Sequence, residues 1–154
     1  MFHTLLRAFV PAVRRFAAPL VLAGALAPAL SAQLPPCEPD LGFQGPGLSY
    51  LYVCGNLGTG GSYYVQLLNT VPFAPCLVLG GLNNNPTSFK GGLLVPVPVL
   101  IAQLLVADAA GEFLVGNIHG GGGPVTLYLQ VASADGGQPH GVSVSNAVQM
   151  NLLP

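Results

Sequence analysis

Positive charge is the scarcest property of this sequence. The 154 residues contain four lysine or arginine residues and five aspartate or glutamate residues. Three of the four cations are arginines within the first fifteen residues, so the rest of the chain holds Lys90 against five carboxylates, a net charge of −4. Nucleic acids and anionic membrane surfaces are both recognised through clustered lysine and arginine side chains. The sequence therefore excludes both classes of partner.

Long hydrophobic runs are also lacking. A helix that spans a membrane needs about 20 consecutive apolar residues. The apolar stretch at residues 20–30 is shorter, and Pro19 and Pro28 interrupt it. Glycine, proline and asparagine break every later apolar run. We therefore expect no membrane span once the N-terminal segment is removed.

The N-terminal segment has the order of a secretory signal peptide. Its arginines precede the apolar stretch, and small residues follow at Ala29, Ser31 and Ala32. This order predicts a cleavable signal helix at residues 1–32. The mature chain is then expected to be secreted or held in the cell envelope, in periplasmic or extracellular space. A membrane anchor and a lipoprotein attached through Cys37 are the alternatives.

Cysteine is rare, and its number is odd. Cys37, Cys54 and Cys76 all follow the predicted signal peptide, in a space where disulfides form. If the first three predicted strands form a meander, Cys37 and Cys76 lie at one pole and Cys54 at the other. This parity predicts a disulfide between Cys37 and Cys76 and a free thiol at Cys54. No cysteine–histidine cluster with the spacing of a zinc site occurs, so we expect no metal or other cofactor.

What the mature chain does contain is a series of short apolar or alternating runs separated by turn residues. Residues 33–47 are rich in proline and glycine and are predicted to form an irregular lead-in. Residues 48–154 are predicted to form one all-β domain, an antiparallel β-sandwich of about seven or eight strands that is immunoglobulin-like or jelly-roll-like. The predicted strands are 48–54, 62–69, 76–80, 92–95, 103–107, 112–116, 125–132 and 141–152, and residues 82–86 (LNNNP) are among the predicted turns between them.

Alternation is clearest in the last two predicted strands. In the first of them, four residues share a phase that predicts burial, and the three between them are predicted to face solvent. The buried set is Val125, Leu127, Leu129 and Val131, and the solvent set is Thr126, Tyr128 and Gln130. In the last strand Asn146 falls in the buried phase, which predicts either a bulge or a buried, hydrogen-bonded asparagine.

Catalytic patterns are absent or incomplete. His119 and the three glycines after it resemble the oxyanion loop of lipases and esterases. That loop needs a Gly-x-Ser-x-Gly nucleophile turn, and the nearest match, at residues 141–145, fails at its last position. The remaining titratable residues show no spacing that builds an acid–base or metal site; they are His140, Asp108, Glu112 and Asp135. We therefore predict no catalytic, cofactor-binding or metal-binding residue.

Five tyrosines lie on predicted strands. Exposed tyrosine rings on a sheet face can stack on sugars, and tyrosine is also an ordinary strand residue. The ordinary interpretation is favoured, and a glycan-binding face stays an alternative. The tyrosines are Tyr50, Tyr52, Tyr63, Tyr64 and Tyr128.

Several segments together resemble an uncharacterised family, the small exported β-sandwich domains of planctomycete-like secreted proteins. The segments are 75–80 (PCLVLG), 107–111 (ADAAG), 127–130 (LYLQ) and 141–146 (GVSVSN). They span most of residues 48–152, although the Gly-Cys pair that such domains often carry before the ADAAG turn is missing. The resemblance implies a β-sandwich and secretion, and it implies no activity.

These observations favour a secreted, non-enzymatic structural or interaction module. Its expected partner is another exported protein or a second copy of itself, because the domain is apolar and nearly uncharged. A carbohydrate-binding module is the first alternative. A hydrolase with an unrecognised site is the second.

Overall fold

The computed structural model describes residues 36–154, which form eleven β-strands and no helix. The predicted signal peptide lies outside the described residues. The strands are β1 (Asp40–Gly42), β2 (Tyr50–Gly55), β3 (Ser62–Leu68), β4 (Pro75–Gly81), β5 (Asn84–Phe89), β6 (Gly92–Pro96), β7 (Ile101–Val106), β8 (Phe113–His119), β9 (Val125–Ala134), β10 (Val142–Val144) and β11 (Ala147–Leu152).

Two antiparallel sheets pack against each other, which confirms the predicted β-sandwich. The larger sheet has the order β1-β11-β9-β4-β7, with β10 paired to β9, and the smaller has the order β2-β3-β8. Side chains that alternate inward along the strands of both sheets fill the space between them. The fully buried members of this core include Leu51, Val53, Leu67, Val131 and Met150.

A third, short layer covers the other face of the larger sheet. Strands β5 and β6 form a two-stranded hairpin, and β6 lies against β9. The side chain of Gln130 on β9 is fully buried beneath it. Its carbonyl oxygen accepts from Val95 N–H at 2.9 Å, and its amide donates to Leu93 C=O at 3.0 Å. The prediction that Gln130 faces solvent is therefore wrong, because β9 is covered on both faces.

The rest of the predicted phase of the two final strands is confirmed in part: Val125, predicted to be buried, is 36 % exposed, and Thr126 and Tyr128, predicted to face solvent, are half-buried. Leu129 and Val131 lie in the core, and Leu127 packs against it. Asn146 is 1 % exposed and separates β10 from β11. Its side chain accepts from Leu51 N–H at 2.6 Å and donates to Leu51 C=O at 3.1 Å. This is the buried, hydrogen-bonded asparagine that the sequence phase predicts, and it joins the two sheets.

The strand count exceeds the predicted seven or eight for three reasons. Strand β1 lies within residues 33–47, so the lead-in that was predicted to be irregular adds an edge strand to β11. Strand β5 includes Asn84, Asn85 and Pro86, which were predicted to form a turn. The last predicted strand is divided in two at Asn146.

The disulfide joins Cys37 to Cys54, and Cys76 is the free, buried cysteine. The predicted pairing of Cys37 with Cys76 and the predicted free thiol at Cys54 are therefore wrong. The predicted pairing required the first three predicted strands to be neighbours in one sheet. Instead, β2 and β3 lie in the smaller sheet, and β4 lies in the larger sheet. Cys76 on β4 consequently faces the core. Side chains along β2 alternate between the core and the outer face, and Cys54 lies on the outer face. Cys37 forms an isolated β-bridge with Cys54 there.

Within residues 36–154, no helix is long and apolar enough to cross a membrane.

Candidate functional site

The two histidines within residues 36–154, His119 and His140, are exposed and lie in different parts of the fold. His119 ends β8 opposite Ser62 of β3. His140 precedes β10, and its ring lies against Gly91 in the turn between β5 and β6. Among residues 36–154, no three histidine, cysteine, aspartate or glutamate side chains come together in a group that could hold a metal ion.

The carboxylates of Asp108 and Asp135 are engaged in turns. One oxygen of Asp108 accepts from the N–H groups of Ala110 and Glu112, at 2.8 and 3.0 Å. Asp135 accepts from Gly137 N–H at 2.9 Å. Aspartates in these positions stabilise turns by replacing a main-chain acceptor.

The glycines after His119 connect β8 to β9, and the main-chain N–H groups of Gly120 and Gly121 are already used. Gly120 N–H donates to Gly61 C=O at 3.0 Å, and Gly121 N–H donates to Leu57 C=O at 2.8 Å. An oxyanion hole needs N–H groups that are free to meet the developing charge. These two glycine N–H groups therefore hold the turn against the β2–β3 loop.

The five tyrosines do not share one face. Tyr63 packs against the core, where burial raises the pKa of its hydroxyl, and Tyr128 lies on β9. The other three occupy the outer face of β2 and β3, since they alternate with core residues. There the rings of Tyr50 and Tyr52 are 4.7 Å apart, and Tyr64 is opposite Cys54.

A shallow groove of about 500 Å³ opens on that outer face. It contains no charged side chain. Its lining residues come from three strands and one bulge; they are Gly55, Ser62, Tyr63, Tyr64, Gln66, Leu114, Gly116 and Asn117. The groove therefore offers aromatic and amide groups to a neutral ligand.

At the start of β2, Tyr50 forms a hydrogen-bonded pair with Asp40 of β1. The hydroxyl of Tyr50 donates to one carboxylate oxygen of Asp40, and Gly42 N–H donates to the other at 2.7 Å. Burial tends to raise the pKa of Asp40, but the hydrogen bonds from Tyr50, Gly42 and Asn146 outweigh it and lower the pKa. The hydrogen bond to Asp40, with smaller effects of burial and nearby charge, raises the pKa of Tyr50 to about 12.

Strand β7 is the most apolar exposed element. It is the last strand of the larger sheet, it carries no charged residue, and every residue except Leu105 is exposed. Leu104 and Val106 are each 61 % exposed. Because both of its faces reach solvent, β7 lacks the usual alternation of a strand with one buried face.

An apolar groove of about 310 Å³ runs between β7 and the nearest strands of the smaller sheet. Apart from Gln103 its lining is aliphatic: Val65, Val78, Leu105, Val115 and Ile118. We call β7 together with this groove the open edge.

No neighbouring strand pairs with the outer main-chain groups of β7, although the C=O of Leu104 accepts a hydrogen bond from the Gln103 side chain at 3.1 Å. Strands β4 and β7 are antiparallel, and Ala107 N–H donates to Ala74 C=O just beyond them. In an antiparallel pair, alternate residues turn their N–H and C=O groups toward the partner. The N–H and C=O groups of Ala102, Leu104 and Val106 therefore point away from β4, where the sheet ends.

Each other edge of the two main sheets is protected within residues 36–154. Strand β1 has three residues. Strand β2 is covered by the lead-in, whose Glu38 N–H donates to Val53 C=O at 2.8 Å. Strand β8 is interrupted by a bulge at Gly116 and Asn117, with a positive φ of 55° at Asn117. Strand β7 alone presents a full, uninterrupted edge.

The open edge was not predicted from the sequence. The available signal was the segment 101–106 (IAQLLV), which is apolar at both phases and ends beside the Asp108 turn. Such a run predicts a strand buried on both faces as readily as an exposed edge.

No known protein family, curated protein or solved structure matches the chain. The resemblance to small exported β-sandwich domains therefore stays a prediction.

Proposed function

We propose that the mature chain is an exported, non-enzymatic module that acts by adding a strand from a partner protein to its open edge. The observation that carries this proposal is β7, a six-residue edge strand without charge and with exposed apolar residues on both faces. Strand addition to a sheet edge is an established mode of protein recognition.

Edge protection supports the proposal. Proteins commonly blunt exposed edges with lysine, proline, bulges or short strands, because an unpaired edge pairs with any strand it meets. This domain protects β1, β2 and β8 in such ways and leaves β7 unmodified. A partner strand would satisfy the outward N–H and C=O groups of β7 and cover Leu104 and Val106.

Two observations support export. The disulfide between Cys37 and Cys54 is compatible with an oxidising space outside the cytoplasm. The N-terminal arginines, apolar stretch and small residues have the order of a signal peptide.

The decisive experiment compares Leu104→Lys with Leu114→Lys. Leu114 is 63 % exposed on β8 and provides a matched control outside β7. The protein is isolated without denaturant from the exported fraction of its producing cells, and its size is measured by light scattering after size exclusion.

We expect the unmodified chain and Leu114→Lys to elute in a complex, and Leu104→Lys to elute as a monomer, because pairing at β7 would bury the new ammonium group. An unmodified chain that stays monomeric at every protein concentration loaded, or a Leu104→Lys variant that still forms the complex, overturns the proposal.

A second candidate function is binding of a neutral glycan in the groove on the outer face of β2, β3 and β8. The observation that favours it is an uncharged lining that places Tyr64 beside the amides of Gln66 and Asn117. An aromatic ring with a few polar groups is a common composition of small-molecule sites.

A neutral oligosaccharide array tests this candidate. We expect Tyr64→Ala to lose binding at least tenfold, and Tyr128→Ala, on the other sheet, to bind as the unmodified chain does. Equal binding by both variants, or no binding by the unmodified chain, would rule the candidate out.

A further inference from the structure

We propose that the partner strand is β7 of a second copy, paired antiparallel about a two-fold axis at Leu104. This inference rests on the proposed function, because it identifies the occupant of the open edge. It makes the domain a symmetric homodimer whose two larger sheets join into one.

The direction of the main-chain groups selects the register. A two-fold axis perpendicular to the joined sheet must pass through a residue that is paired with its own copy. Only Ala102, Leu104 and Val106 turn their N–H and C=O groups outward. An axis at Leu104 pairs Leu104 with itself and Ala102 with Val106, so that every outward group of these three residues meets a partner. An axis at Gln103 or Leu105 would pair only two of these three residues, and an axis at Ala102 or Val106 would pair only one.

The side chains are self-complementary in this register. Residues directly opposite each other in an antiparallel pair project to the same face. Leu104 would therefore contact its own copy, flanked on each side by an Ala102–Val106 pair, on the face where Leu104 and Val106 are now exposed. Leu77 of β4 is opposite Leu104 and extends the apolar patch into each subunit.

Charge selects the antiparallel orientation for two copies. The mature domain carries a net charge of −4, so two copies repel each other except where their surfaces are uncharged, as at β7. The nearest carboxylates, Asp108 and Glu112, lie beyond the same end of β7. Antiparallel pairing places them at opposite ends of the joined strands, whereas parallel pairing would set the two Asp108 side chains next to each other.

The small area of the contact between the two β7 strands sets the expected affinity of the dimer. Pairing along six residues is small beside the roughly 1,200–2,000 Å² that stable complexes bury. We therefore expect a dimer that forms with increasing protein concentration and that is lost on dilution.

Cysteine cross-linking tests the register. In a hydrogen-bonded antiparallel pair the Cα atoms are about 5.5 Å apart, which a disulfide spans. The variant Leu104→Cys should therefore give a covalent dimer under mild oxidation. The native cysteines do not compete, since two form a disulfide and Cys76 is buried.

Two variants serve as controls. Gln103→Cys places the thiol one residue from the axis, opposite Leu105 of the other copy, and Leu114→Cys places it on β8. We expect at least tenfold less covalent dimer from each control than from Leu104→Cys, measured at equal concentration on a non-reducing gel.

The outcomes separate this inference from the proposed function. If the native complex contains a different protein at β7, or if Leu104→Cys cross-links no better than Leu114→Cys, the inference is overturned and strand addition still stands. If the unmodified chain is monomeric and Leu104→Lys changes nothing, both are overturned.

Discussion

At the scale of single residues, the pair formed by Tyr50 and Asp40 ties the lead-in to the smaller sheet. Tyr50 has its pKa raised to about 12 from 10.0, so its contribution to folding stability is present below pH 10 and is lost as the pH rises through about 12. Asp40 has a lowered pKa, so its contribution is present above its unfolded value and is lost as the pH falls through the folded value. Both groups lie near the surface, and solvent screening keeps these contributions small.

This pair gives a spectroscopic prediction. In an ultraviolet titration of the folded protein, Tyr50 should ionise near pH 12. In Asp40→Asn the titration of Tyr50 should move down toward 10, because the neutral amide no longer opposes formation of the phenolate.

The assignment has a simple control. Tyr50→Phe should remove the titration near 12, and Tyr52→Phe should leave it in place. If Asp40→Asn leaves the high titration unchanged, the hydrogen bond between Tyr50 and Asp40 does not cause it.

Buried amides are the other decisive residues. Asn146 satisfies both main-chain groups of Leu51 across the two sheets. Gln130 accepts from Val95 N–H and donates to the C=O groups of Leu93, Phe43 and Ser145. Each amide satisfies main-chain groups that no neighbouring strand pairs with, including those of Leu51 on β2 and of Leu93 and Val95 on β6, which is why both positions depart from the periodic pattern around them.

At the scale of elements, Gln130 attaches the β5–β6 hairpin to β9. Every residue of β5 except Phe89 is exposed, so the hairpin is held mainly through β6. Replacing Gln130 by leucine keeps the volume but leaves a buried N–H and several C=O groups without a partner. We expect a loss of about 3 kcal/mol of folding stability, together with faster hydrogen exchange in β6.

Urea unfolding and hydrogen exchange measure these effects. Gln149→Leu is the matched control, because its side chain bonds only to the Asn151 side chain, at 3.3 Å, and we expect a loss of less than about 1 kcal/mol. Similar losses in both variants would contradict the role assigned to Gln130.

The predicted and observed elements differ at two edge strands, β1 and β5. Strand β5 contains Asn-Asn-Pro and was predicted to be a turn, yet it pairs with β6 as an outer hairpin strand. Proline and asparagine are tolerated there because β5 is an edge strand. Strand β1 has only three residues, and it pairs with β11, which is more than a hundred residues away in the sequence. No local sequence pattern predicts a pairing over that distance.

At the scale of the whole molecule, the disulfide between Cys37 and Cys54 fastens the lead-in to β2. Its sequence separation is 17 residues, and closing a loop of that length in the unfolded chain corresponds to about 3 kcal/mol of stability. We therefore expect reduction to lower the free energy of unfolding by about 3 kcal/mol in urea titrations. The double variant Cys37→Ser, Cys54→Ser should show the lowered stability without reductant and no response to it.

Alkylation checks the pairing itself. Burial raises the pKa of the Cys76 thiol and shields it, so we expect no modification of the folded protein. In denaturant without reductant, Cys76 alone should react. Modification at Cys54 in denaturant would contradict the disulfide.

The sequence by itself determined the class of this protein, because charge scarcity, alternation and turn residues are local properties. They were enough to predict a sandwich, seven of the strand positions and the buried Asn146. Only the tertiary structure decided the disulfide partner of Cys54, the burial of Gln130 and the exposure of β7. Each of these depends on which strands become neighbours and on which sheet faces are covered, and a period of two residues along one strand specifies neither.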